Sequence, residues 1–341
     1  MTIVRPLLLL PTAGVLLAFS AAASAQLKKE ATAVDKTDPV AVAIGRGVGY
    51  LTKEVPKWKA EHPCYSCHNN GDATRALLAA SAKGYDIGAS LDDTLTFLKQ
   101  PAKWDQNKAP DGFDDKQLAR VQFASALAVA ERHGKAASTD LDQAAKLLVA
   151  DQKADGSWTL DQSQSIASPA TYGTIIATWS ARTTLIASGM QPDHFTIVAA
   201  DRWIRGLVPE NVIDAAATVL ALEHASDVMA ENLRRACLQI VRQGQSPDGG
   251  WGPYVTAKPQ VFDTAMTVLA LSLLDVEPRL ARSTYRPEEL KEAIAKGKAY
   301  LVKQQRGDGS WPETTRPADQ ESYAQRISTT GWAMLALLSG P

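Results

Sequence analysis

Cys64-Tyr65-Ser66-Cys67-His68 sets two thiols three residues apart with an imidazole directly after the second. C-x-x-C-H is the spacing by which haem c is attached: both thiols bond covalently to one edge of the macrocycle and the histidine ligates the iron. Two plainer readings fit the same residues, a disulfide or dithiol pair beside an incidental histidine, and half of a zinc site. The only other cysteine is Cys237, and no second Cys/His pair completes a tetrahedral site. The motif therefore predicts one covalent haem c on Cys64 and Cys67, with His68 as axial ligand to the metal. For a sixth ligand the chain offers His62, two residues before the motif, His133, His194 and His224, which stand near helix ends or turns, and the thioethers of Met190, Met229, Met266 and Met334. Met266 and Met334 lie in apolar helical segments, where core packing is the default.

Attachment of this kind takes place outside the cytoplasm in bacteria, and the N-terminus reads as an export signal. Arg5 gives a short positive region, Leu7 to Ala22 an apolar core, and Ala23-Ser24-Ala25 a small-residue cleavage site. The apolar run is too short and too interrupted to favour a membrane span, and no later run is long enough either. The expected organisation is a signal peptide at 1–25, a linker at 26–37 and one large domain at 38–341, with the mature protein periplasmic or secreted. Formal net charge is −1 with dispersed basic residues, which argues against nucleic acid or an anionic membrane surface as partner. A periplasmic redox partner or a small apolar ligand remains. Cys237, inside a helical pattern, is expected to be a small buried apolar residue.

The elements that must position the motif are legible as repeats. Asp151-Gln152-Lys153-Ala154-Asp155-Gly156-Ser157-Trp158 is echoed by Gln245-Ser246-Pro247-Asp248-Gly249-Gly250-Trp251 and by Gln305-Arg306-Gly307-Asp308-Gly309-Ser310-Trp311. Each follows an amphipathic helical pattern, and each Asp-Gly is a turn signal. Degenerate copies end at Trp58 and Trp104, about 50 residues apart, a spacing within the range of repeat families. The copy expected near Trp203 to Pro209 keeps its helix and loses its turn signature.

A second, more apolar helix follows each turn. Val212 to Leu222 reappears as Val261 to Leu271 and again as Ser328 to Leu337, with likeness at Asp72 to Ala82, Leu118 to Arg132 and Tyr172 to Ser188. Helices apolar nearly all round belong inside. Six outer helices are expected near 40–53, 89–100, 138–151, 195–206, 229–243 and 287–304, each followed by an inner one. Six such hairpins can close into a ring whose first and last repeats bury each other. The predicted fold class is all-α, an (α/α)6 toroid with no sheet.

The three Q-x-x-D-G-[SG]-W segments resemble the QW repeats of the squalene-hopene cyclase and protein prenyltransferase superfamily, whose domains are α/α toroids. The resemblance implies structural roles: glutamine ties one helix to the next, Asp-Gly makes the turn, and tryptophan covers the junction. It also poses the question of chemistry. Class II cyclases of this superfamily use a D-x-D-D-T-A acid, and the nearest match, Val261-Phe262-Asp263-Thr264-Ala265, keeps one aspartate and the Thr-Ala. Asp111-Gly112-Phe113-Asp114-Asp115 has the carboxylates at another spacing and repeat, as expected of a solvated loop or helix cap. The prenyltransferases hold zinc with aspartate, cysteine and histidine, but Ala265 stands two beyond Asp263 and no histidine follows.

Asp214 and Asp263 are thus weak catalytic candidates, with inner-helix capping as their plainer role. The leading expectation is an exported monohaem c-type cytochrome-like protein on a toroid scaffold, acting in electron transfer or as the haem part of a redox system. The alternatives are a haem-free binding scaffold for an apolar ligand or peptide, and a degenerate terpenoid-type enzyme using Asp263. The motif should sit at the toroid's mouth, between Trp58 and the inner helix starting at Asp72, beside Ser328 to Leu337. Asp214 and Asp263 are its expected neighbours across the rim.

Overall fold

The computed structural model describes residues 37–108, 115–160, 166–276, 281 and 284–340, within the contact unit Val34–Pro341. The expected export signal, nearly all of the expected linker and Asp111 to Asp114 lie outside the described residues. Helices come in pairs of outer and inner: α1 (Pro39–Glu61) with α2 (Thr74–Ala82), α3 (Asp92–Leu98) with α4 (Lys116–Arg132), and α5 (Ser138–Asp151) with α6 (Gly173–Ala187). The series continues with α7 (Phe195–Arg205) and α8 (Val212–Ala221), α9 (Val228–Gly244) and α10 (Val261–Val276), and α11 (Pro287–Gln304) and α12 (Tyr323–Leu338). No strand forms among the described residues, only an isolated bridge between Gln245 and Trp251.

Each inner helix packs on the next, from α2 through α4, α6, α8 and α10 to α12, and α12 packs back on α2. On the outside α11 meets α1. The ring is closed, and the chain is an (α/α)6 toroid. Its inner helices form the core; in α8 Val212, Ile213 and all of Ala215 to Ala221 are buried, as the all-round apolar pattern requires. Starts are set by short polar side chains that accept from orphan amides: Asp38 from Val40 and Ala41, Asp115 from Leu118, Asn211 from Asp214, and Ser322 from Gln325.

The repeat turns work as rivets. Gln152 Nε2 donates to Gly156 O in its own turn and to Thr196 O on the next outer helix, at 3.0 and 2.9 Å. Gln245 bridges Gly249 O and Ala293 O, and Gln305 bridges Gly309 O and Ala43 O, so the last repeat is tied to the first. Trp158, Trp251 and Trp311 are fully buried, and each indole N–H donates to a carbonyl ten residues earlier, Leu148, Val241 or Leu301. That carbonyl is one the end of the outer helix leaves unpaired. Each tryptophan amide is in turn received by an inner-helix hydroxyl, Thr178, Thr264 or Thr330.

The degenerate copies do not reproduce this device. Trp58 lies inside α1, which runs to Glu61 rather than ending near 53, and stacks on His62 at 3.8 Å. Trp104 sits in a short 3-10 turn, Pro101–Gln106, against Phe123. Neither indole N–H has a partner among the described residues.

Candidate functional site

In a ring of hairpins every outer-to-inner connection falls at one end, so the motif occupies the same rim as the repeat turns. The segment after Cys64 is not the open connection expected from the sequence. Cys67–Ala73 is a π-helical turn running directly into α2, so the inner helix proper starts at Thr74 rather than Asp72. Such turns recur at functional sites because the wider spiral re-aims side chains. Ser66 caps it by accepting from Asn69 N, and Ser66 N donates to Asn70 Oδ1 at 2.9 Å. Asn70 Nδ2 then reaches Thr94 on α3, at 2.8 Å.

The residue between the cysteines is clamped as firmly. Asn107 accepts from Tyr65 N and donates to Tyr65 O, at 2.8 and 2.7 Å, as a neighbouring strand would. The Tyr65 ring stacks on Phe97 at 4.0 Å, and its hydroxyl donates to Asp93. The second repeat therefore fixes the backbone on which the two sulfurs and the imidazole are carried.

Cys64 is buried, Cys67 and His68 are half-buried, and Cys67 Sγ lies 3.8 Å from His68 Nδ1. Burial, with the Asp72 charge adding to it, pushes the Cys67 thiol up to about 12. Burial pulls the His68 imidazole down to about 4, with Gln122 beside it acting the other way. Cys237 is fully buried in α9. Among the described residues no three His, Cys, Asp or Glu side chains converge as a metal cage.

The carboxylate that meets the motif is Asp72, which sequence reading set down only as a helix start. It is fully buried and accepts from Ser328 Oγ at 2.5 Å, Trp332 Nε1 at 3.1 Å, Gln122 Nε2 at 3.3 Å and the Tyr172 hydroxyl. Arg75, at 3.5 Å, adds a positive charge and lies over the Trp332 ring. Burial raises the Asp72 carboxyl above its ordinary range against the pull of Arg75 and these donors. Tyr172 reaches it from a left-handed backbone, φ 53°, rare for a residue with a Cβ. This hub joins repeats one, two, three and six.

Asp263 and Asp214 make their described side-chain hydrogen bonds and ion pairs with Arg316 and Asn211, not with the motif. Both Asp263 oxygens accept from Arg316 Nη2, at 2.8 and 2.9 Å, and burial pushes its carboxyl up to about 7 against that pairing. A carboxyl engaged on both oxygens by a guanidinium is poorly placed to protonate an alkene. Neither aspartate is an N-cap either; Asn211 caps α8, and Asp214 accepts from the Asn211 amide at 2.6 Å, with burial raising its carboxyl. Asp115 does cap α4.

The other ligand candidates take structural places. His62 and His133 close α1 and α4, His194 caps α7, and His224 stands exposed beside Glu223. Met266 and Met334 are core residues, Met190 is partly buried, and Met229 is exposed.

No family model matches the sequence, and no curated protein matches it. Solved structures do match. The apo type II terpene cyclase MstE from Scytonema aligns with a TM-score of 0.55 at 14% identity, over 88% of this chain and 98% of that one. A variant of the same cyclase in complex with geranylgeranyl dihydroxybenzoate gives 0.56 at 15%, over 88% and 97%. The unsaturated glucuronyl hydrolase from Bacillus sp. GL1, responsible for degradation of glycosaminoglycan, gives 0.61 at 13%, over 87% and 95%. At these identities the likeness is one of fold, and the fold they share with this chain is the α/α toroid.

Proposed function

We propose that the chain carries one haem c, bonded through Cys64 and Cys67 with His68 as axial ligand, and serves one-electron transfer outside the cytoplasm, alone or as the haem part of a redox system. The supporting observation is the donor set: Cys64, Cys67 and His68 lie on one short stretch that runs into a capped turn at the rim, with Cys67 Sγ 3.8 Å from His68 Nδ1. An uncharged imidazole presents the lone pair that iron ligation needs, and a protonated one does not. Haem supplies reversible one-electron exchange at the iron. The chain's own residues hold the turn: Asn107 fixes the backbone of Tyr65, Ser66 caps the turn, and Asn70 anchors it to Thr94.

The Asn69 side chain next to His68 is buried with neither polar atom partnered, so the site has hydrogen-bonding capacity that the protein alone leaves unused.

The reading is tested by the visible spectrum of the reduced protein, made in a bacterial host that matures cytochromes c. The sharp α band of haem c is expected, with His68→Ala keeping the bound haem but changing its spectrum. A colourless wild-type protein would sink the reading.

A further inference from the structure

Of the four histidines and four methionines open as sixth ligand, the topology separates one from the rest. Outer helices run toward the motif's rim and inner helices away from it, so every inner-to-outer connection falls at the opposite end. His133 closes α4, Met190 and His194 lie between α6 and α7, His224 lies between α8 and α9, and Met229 is in the first turn of α9. The inner helices leading to these positions have 10 to 17 residues, about 15 to 25 Å of helix, which is longer than any side chain. Met266 and Met334 are fully buried in the core, and Met334 Sδ packs so tightly on α1 that a Cβ at Gly47 would lie 2.8 Å from it.

His62 stands on the motif's own rim, two residues before Cys64. Its backbone closes α1 in an extended conformation, φ −130° and ψ 147°, as the following Pro63 favours. Its ring is held separately. The imidazole stacks on the Trp58 indole with centroids 3.8 Å apart and planes 8° from parallel, and its Nδ1 lies 3.0 Å from Trp58 O. A carbonyl oxygen only accepts, so Nδ1 carries a proton, and in the uncharged ring the lone pair is on Nε2. Nε2 makes no hydrogen bond among the described residues, and the side chain is half-buried rather than sealed in the core. One ring nitrogen tied to a carbonyl with the other left open is how metal-ligating histidines are oriented. The platform behind the ring is braced from the last repeat, since Tyr323 lies 5.7 Å from Trp58 and donates its hydroxyl to Glu54 on α1.

We propose that His62 Nε2 is the sixth ligand, so that the iron is held by two imidazoles, those of His68 and His62. The inference rests on haem attachment at Cys64 and Cys67. With both axial positions filled by the chain, the site passes electrons and has no open position for a small exogenous ligand.

Optical and electron paramagnetic resonance spectra of the full chain, purified with haem from a host that matures cytochromes c, test it. The wild type is expected to be low-spin and, when reduced, to bind no carbon monoxide. His62→Ala should turn high-spin, gain carbon monoxide binding and return to low-spin on addition of imidazole. His62→Met, which puts a thioether in the same place, should stay low-spin with a raised reduction potential. His133→Ala, at the far end of α4, should leave every one of these signatures unchanged. A haem-bearing wild type that is high-spin, or a His62→Ala variant that stays low-spin without imidazole, overturns the assignment of His62 and leaves haem attachment standing. A wild type without haem overturns both.

Discussion

Asp72 accepts from side chains 50, 100, 256 and 260 residues away, and from Arg75 one turn on. Removing such an acceptor strands buried donors. Asp72→Ala should therefore cost about 3 kcal/mol or more in denaturant unfolding, and Tyr172→Phe about 1–2 kcal/mol. Asp263 carries a pH signature. Its folded carboxyl is raised, so between the ordinary carboxylate range and about pH 7 the folded state holds a proton that the unfolded chain has lost. The stability this gives is present at low pH and is lost as pH rises through about 7. Melting of wild type against Asp263→Asn at pH 5 and pH 8 should show the balance moving toward the variant at the higher pH. A constant difference would contradict the assignment.

At this scale the sequence exposes chemistry written in local spacing and conceals chemistry assembled by the fold. C-x-x-C-H is readable because its atoms lie within one turn. Asp72, Arg75, Tyr172 and Trp332 are not, since nothing local marks residues that meet only when the ring closes. Asp263 was visible by motif, but Arg316, the residue that decides its chemistry, is 53 positions away.

The repeat turn is the element on which the architecture depends. Gly156, Gly249 and Gly309 have φ near +95°, and a Cβ on them would lie 2.3–2.5 Å from the carbonyls of Ala199, Lys296 and Arg46 on the neighbouring outer helix. Two constraints, handedness and close approach, coincide. Gly309→Ala should lower stability by about 2 kcal/mol or more in chemical denaturation, whereas Gly134→Ala, left-handed but with open space around it, should cost less. These turns were legible because glutamine, Asp-Gly and tryptophan recur at fixed offsets. The π turn was not, because a single widened turn leaves the apolar periodicity of the helix after it unchanged. Nor was the extension of α1 through Pro56 to Glu61, since proline inside a helix usually signals an end.

Across the whole molecule, closure is what distinguishes this chain from an open solenoid. Gln305 to Ala43, α12 on α2 and α11 on α1 bury the first and last repeats against each other. Removing α11 and α12 should therefore abolish the cooperative melting transition of the entire domain. Persistence of a transition from the remaining repeats would mean that each needs only its neighbours. Period and apolar content told of six hairpins, and the likeness to toroids of different chemistry says that the scaffold does not decide activity. The proposed function rests on Cys64, Cys67 and His68. The most direct measurement is denaturing electrophoresis of protein made in a host that attaches haem c, stained for haem and compared with Cys64→Ser and Cys67→Ser together. Haem should migrate with the wild-type chain and be absent from the double variant; a wild-type band without haem would contradict the account.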